Sequence, residues 1–80
     1  MRLTNIAQVD DFIDAISRSK GGVWLVSMDG NRFNLKSSLS RYVALGALLS
    51  EAGGDLELYC DLKEDEGHFL NFFMKHEDAL

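Results

Sequence analysis

Ser37 is the residue whose setting most invites chemistry in this 80-residue chain. It lies in Phe33-Asn34-Leu35-Lys36-Ser37-Ser38-Leu39, where a strand pattern gives way to a helix start, with Lys36 just before it and Arg41 one turn on. The free N–H groups and the dipole of a helix N-terminus favour an anion. Ser37, Lys36 and Arg41 therefore form a candidate anion or phosphate site. The competing reading is a plain helix cap, in which Ser37 or Ser38 contributes about 1 kcal/mol.

The other reactive side chains have structural readings. His68 and His76 are eight positions apart, too far for the i,i+4 pair of a helical zinc site, and read as surface or helix-end histidines. Glu64-Asp65-Glu66 opens the last predicted helix, where carboxylates favour the positive dipole end over an acid–base or cation role. Cys60 has core spacing beside Leu58 and Leu62; as the single cysteine it forms no internal disulfide, which agrees with a reducing compartment. Gly21-Gly22 and Gly53-Gly54 lack phosphate-loop spacing and read as helix exits, while Trp24, Phe33, Phe69 and Phe73 read as core aromatics. With no nucleophile–base constellation, metal set or cofactor motif, the chain reads as non-enzymatic.

Composition sets the frame for these residues. An apolar share of 46% without proline suits one globular domain spanning residues 1–80. The net charge of -5, with eight Lys and Arg scattered along the chain, argues against nucleic acid as a partner. No apolar run approaches the roughly 18 residues of a spanning helix, so no membrane insertion is expected. Met1-Arg2-Leu3-Thr4-Asn5 lacks the apolar stretch of a signal peptide, which makes the cytoplasm the expected location.

The elements follow from patterning. Residues 3–6 read as a short first strand. Val9, Phe12, Ile13 and Ile16 recur at helical spacing, with Asp10 and Asp11 at the helix start and Asp14 on the remaining surface, and Gly21-Gly22 as the stop. A hairpin centred on Asp29-Gly30 as a two-residue turn sets Val26 opposite Phe33 and Trp24 opposite Leu35 on one face. Leu39, Tyr42, Val43 and Ala47 trace a second helical stripe that ends near Gly53-Gly54. From Asp55 to Leu62 the alternation is that of a half-buried strand, with Leu56, Leu58, Cys60 and Leu62 on the apolar side. The last helix packs through Phe69, Leu70, Phe73 and Met74, and the tail from Glu77 to Leu80 frays. The predicted class is α+β: a two-layer sandwich with three helices on one side of a four-stranded, mostly antiparallel sheet.

Phe33-Asn34-Leu35-Lys36-Ser37, Ala44-Leu45-Gly46 and Asp65-Glu66, taken with that element order, make the chain similar to the phosphocarrier protein HPr family of the bacterial sugar phosphotransferase system. The resemblance spans most of the chain. It implies an open-faced βαββαβα sandwich with strands in the order first, fourth, second, third, and it sets Ser37 at the family's regulatory serine. In some bacteria that serine is phosphorylated by a dedicated kinase/phosphorylase in carbon catabolite control. The family's carrier loop, Gly-Leu-His-Ala-Arg-Pro-Ala, is not kept: the match brings Asn5 to the position of the lost carrier histidine and Ala7 to that of the arginine. An asparagine amide is not a nucleophile that holds a labile phosphoryl group, and Asp10 and Asp11 would repel one. The resemblance thus implies a divergent, non-catalytic protein-interaction domain. Its expected partner surface is Gln8, Val9, Ser37, Ser38, Leu39 and Tyr42, and its partner a protein of the phosphotransferase or catabolite-control system. The alternative is a phosphotransferase-system component regulated by phosphorylation at Ser37.

Overall fold

The chain forms an α+β fold with three α-helices and a three-stranded antiparallel sheet, seen in a computed structural model that describes residues 2–50 and 56–77. The order is α1 (Ile6–Arg18), β1 (Val23–Val26), β2 (Arg32–Asn34), α2 (Ser38–Leu49), β3 (Glu57–Cys60), a 3-10 turn (Lys63–Asp65) and α3 (Glu66–Lys75), with strands arranged β2-β1-β3. The expected Gly53-Gly54 helix exit, Asp55 at the last strand and residues 78–80 of the fraying tail lie outside the described residues.

The expected first strand is absent, and residues 3–6 instead lead into α1. Asn5 is the helix N-cap, and its side chain accepts from the Gln8 N–H at 2.9 Å while Gln8 Oε1 accepts from the Asn5 N–H at 3.2 Å. This reciprocal capping box satisfies two otherwise orphaned donors and starts the helix at Ile6. Leu3 is buried beside the end of α2, its N–H donating to the Leu48 carbonyl at 3.0 Å. Among the described residues the sheet therefore has three strands, not four.

The hairpin forms where expected, but its register is shifted by one. Ser27 N–H donates to the Asn31 carbonyl at 2.9 Å and Gly30 N–H to the Ser27 carbonyl at 3.1 Å, which closes a three-residue loop over Met28, Asp29 and Gly30. Gly30 supplies the positive φ, 90°, that such a loop needs at its third position. Leu25 now faces Phe33, Trp24 faces Asn34 and Val26 faces Arg32. A one-residue slip reverses both faces of a strand: Val23, Leu25 and Leu35 are buried, whereas Trp24 and Val26 lie half-buried on the open face. There the Arg32 guanidinium sits 4.6 Å from the Trp24 ring centroid, a cation–π contact.

The core joins α1, α3 and the sheet. Phe12 stands between Phe69 and Phe72 at centroid distances of 5.9 and 5.5 Å, with Ile16, Val23 and Leu25 in the same cluster. Each buried Phe contributes about 1.5–3 kcal/mol. In α3 the buried pair is Phe69 and Phe72, with Phe73 half-buried; Leu70 and Met74, expected inside, are exposed because the Phe12 ring selects the 69/72 face. In α2 most of the expected stripe is likewise outside: Leu39, Tyr42 and Val43 are exposed and only Ala47 packs against the core, while Ala44 and Leu48 are buried. This helix is apolar over much of its circumference, so period alone does not pick the inner face, and the small Ala44 permits close approach. Strand β3 keeps the expected alternation, Leu56 buried and Leu58 and Cys60 half-buried against exposed Glu57 and Tyr59. Leu62 leaves the pattern as the residue that opens the 3-10 turn.

The hairpin register has a direct mutational test. Leu25→Ala is expected to destabilise the fold by about 2–5 kcal/mol in urea denaturation, and Val26→Ala by clearly less. The reverse ranking would restore the two-residue turn.

Candidate functional site

Ser37 occupies the N-cap of α2, as its sequence setting suggests, yet its hydroxyl makes no capping bond. Its backbone carries the connection: the N–H donates to the Asn34 carbonyl at 3.1 Å and the carbonyl accepts from the Arg41 N–H at 2.9 Å. Asn34 Oδ1 also accepts from the Lys36 N–H at 3.0 Å and tightens the loop.

The Lys36 ammonium does not turn towards Ser37. It donates to the Ser19 carbonyl at the end of α1, where the helix dipole is negative. The expected cluster of Ser37, Lys36 and Arg41 is thus divided. Arg41 is half-buried and lines a cleft of about 370 Å3 with Ile13 from α1 and with Ser38, Tyr42 and Leu45 from α2. Tyr42 is 78% exposed and Leu39, one turn earlier, is 77% exposed.

The expected partner residues of the first helix are placed differently. Gln8 is fully buried in the capping box, and Val9 is half-buried against the core. Gln8 therefore contributes nothing to an exposed contact surface. Asn5, aligned by resemblance with a carrier histidine, has its side-chain oxygen engaged at the helix cap. The Asn-x-x-Gln spacing of that cap is present in the sequence, whereas Ile13, part of the first helical stripe, and Leu45, part of the Ala44-Leu45-Gly46 motif, carry no signal that brings them to one cleft.

Glu64 lies in the 3-10 turn and Glu66 in the first turn of α3, as expected for acid at a helix start, whereas the side chains of Asp65 and Asp11 serve tertiary contacts. Asp65 stands at the N-cap of α3 but spends its side chain elsewhere: it is 1% exposed and accepts the Lys20 N–H at 3.0 Å and the Gly21 N–H at 2.8 Å. Those two bonds hold its carboxyl below the usual aspartate value. Since α1 begins at Ile6, Asp10 and Asp11 lie beyond its first turn, outside the reach of the dipole effect. Asp11 meets His76 Nε2 at 2.6 Å and Lys75 Nζ at 3.0 Å, and both lower its pKa. Asp14 pairs with Arg18 at 2.9 Å.

His76 is the C-cap of α3, a helix-end histidine as expected, and also packs on Phe72 at 5.2 Å. His68 lies in a shallow polar cleft with Asp14 and Arg18. Burial pushes the half-buried Cys60 thiol up, with Asp65, Glu66 and Asp61 adding to the effect, so its nucleophilic thiolate is disfavoured. Among the described residues no group of three or more His, Cys, Asp or Glu side chains could hold a metal ion, and no helix is long and apolar enough to cross a membrane.

No protein-family model matches this chain, and no curated protein or solved structure gives a significant match.

The two helix starts should respond differently to mutation. Asn5→Ala is expected to lower stability by about 1 kcal/mol through loss of the capping box. Ser37→Ala, which removes no capping bond, should stay within about 0.5 kcal/mol of wild type. Chemical denaturation of both variants measures the contrast.

Proposed function

We propose that this chain is a non-catalytic, HPr-like domain that binds a protein partner through the exposed face of α2. One observation carries this reading: Tyr42, 78% exposed, lines the cleft with Arg41, Ser38 and Ile13, and Leu39, one turn earlier on α2, is 77% exposed. Large apolar side chains grouped around a cleft are typical of interaction surfaces, and Tyr and Arg are frequent hot-spot residues. The partner belongs to the phosphotransferase or catabolite-control system of a bacterial cytoplasm.

One further feature supports the HPr-like part: the strands run β3-β1-β2, which follows the fourth, second and third positions of the order implied by the resemblance. The non-catalytic part draws on Asn5, which the resemblance sets at the carrier position: it is a helix-cap amide and not a nucleophile for a labile phosphoryl group. A second reading, regulation by phosphorylation at Ser37, draws on the hydroxyl that makes no capping bond at a helix N-terminus.

Leu39→Ser and Tyr42→Ser should each retain the wild-type circular dichroism spectrum and weaken a partner recovered by the wild-type chain several-fold. Unfolding of both variants, or undiminished binding by both, would contradict the proposal. Incubation with phosphoenolpyruvate and the general phosphotransferase enzyme is expected to yield no acid-labile phosphohistidine by intact mass. Rapid stoichiometric labelling of His68 or His76 would overturn that expectation. Stable phosphate on Ser37 after treatment with the family's serine kinase and ATP would favour the regulatory reading.

A further inference from the structure

Strand β3 ends the sheet: it pairs with β1 on one side, and among the described residues no strand pairs with its other side. The phase of the ladder determines what that outer edge offers. Asp61 N–H donates to the Gly22 carbonyl at 2.9 Å, and the register continues through Trp24 opposite Tyr59 and Val26 opposite Glu57. In an antiparallel pair the hydrogen-bonded positions alternate, so Leu58 and Cys60 direct their N–H and C=O groups outward.

A groove of about 290 Å3 lies against this edge, formed by Leu58 and Cys60 with Phe69, Leu70 and Phe73 of α3. Tyr59, whose side chain belongs to the opposite face, also lines it, so the groove reaches the strand's margin. Leu70, 63% exposed, forms an apolar outer wall. Sheet edges are commonly protected by lysine, proline, a bulge or a covering element; Glu57-Leu58-Tyr59-Cys60 contains neither lysine nor proline.

We propose that the outer edge of β3 and the groove beside it capture an extended, basic segment of a partner protein as an added strand. Main-chain bonds to Leu58 and Cys60 hold the segment, and its alternate apolar side chains enter the groove against Leu70 and Phe73. The remaining side chains are Lys or Arg, because exposed Glu57 and Asp61 flank Leu58 and Cys60 along the chain and Glu66 lines the groove, against one exposed cation, Lys63, beyond the strand end. That charge also disfavours a second copy of the chain: antiparallel pairing of β3 with itself through Leu58 and Cys60 would set Glu57 directly opposite Asp61. This surface is separate from the α2 face and stands independently of the function proposed there.

Amide hydrogen exchange of the isotope-labelled chain, read by NMR with and without the capped peptide Val-Lys-Val-Lys-Val-Lys-Val, tests the inference. Without peptide, Leu58 and Cys60 should exchange fast and Tyr59 slowly; saturating peptide should slow Leu58 and Cys60 by about tenfold or more. A peptide with glutamate in place of lysine, or one N-methylated along its backbone, should not protect them. Leu70→Glu, at an exposed position, should preserve the spectrum of the free protein and weaken binding several-fold, whereas Leu39→Ser should bind as wild type. Slow exchange of Leu58 and Cys60 in the free chain, protection by the N-methylated or glutamate peptide, no protection by the lysine peptide, or a concentration-dependent dimer protected at these residues would each overturn it.

Discussion

The turn between α1 and β1, residues 19–22, is the constraint on which the remainder of the structure depends. The Asp65 carboxylate accepts two of its N–H groups, the Lys36 ammonium binds its Ser19 carbonyl, and Asp61 bonds to its Gly22 carbonyl. A side chain at position 21 would lie 2.7 Å from Leu62, so the glycine is required by close approach. One short segment thereby ties together the end of α1, the loop before α2, the end of β3 and the start of α3. Phe12 meets Phe69 and Phe72 because these connections hold α1 beside α3.

The same turn shapes the surface. By drawing Lys36 to the end of α1, it removes that positive charge from the neighbourhood of Ser37 and leaves Arg41 as the cation of the adjoining cleft. Helix α2 buries Ala44 and Leu48, which directs Leu39 and Tyr42 outward. At the opposite side of the molecule, α3 covers the sheet through Phe69 and Phe72 and leaves Leu70 beside the outer margin of β3. Leu39 and Tyr42 on one region and Leu70 on the other are thus large side chains left outside a small core.

The sequence made the three helices, the hairpin and the half-buried last strand legible, because each has a local period or turn signal. The faces of β1 and α2 were not legible for the same reason: Val23-Trp24-Leu25-Val26 is apolar at every position, and α2 offers more than one apolar stripe. Asp29-Gly30 suits both a two-residue and a three-residue loop, so the turn alone left the register open. Residues 3–6 are too short a stretch to show a strand period, and the Asn5-x-x-Gln8 spacing that starts α1 at Ile6 is a helix signal instead. At the candidate site, the helix-start position of Ser37 was local and readable. The directions of Lys36 and Asp65 were not, since their partners lie 17 and 44 to 45 residues away in the chain.

Titration of the Asp65 side-chain carboxyl by carbon NMR tests this account most directly. Two backbone donors favour the ionised form, so its midpoint should fall below the ordinary aspartate value of 3.8. A carboxyl depressed in the folded state stabilises folding above its unfolded pKa, and that contribution is lost as pH falls through the folded value. Asp65→Asn should therefore lower the unfolding midpoint at neutral pH and reduce the acid sensitivity of the remainder. A midpoint at or above 3.8, with an Asp65→Asn variant as stable as wild type at neutral pH, would contradict a fold organised around this turn.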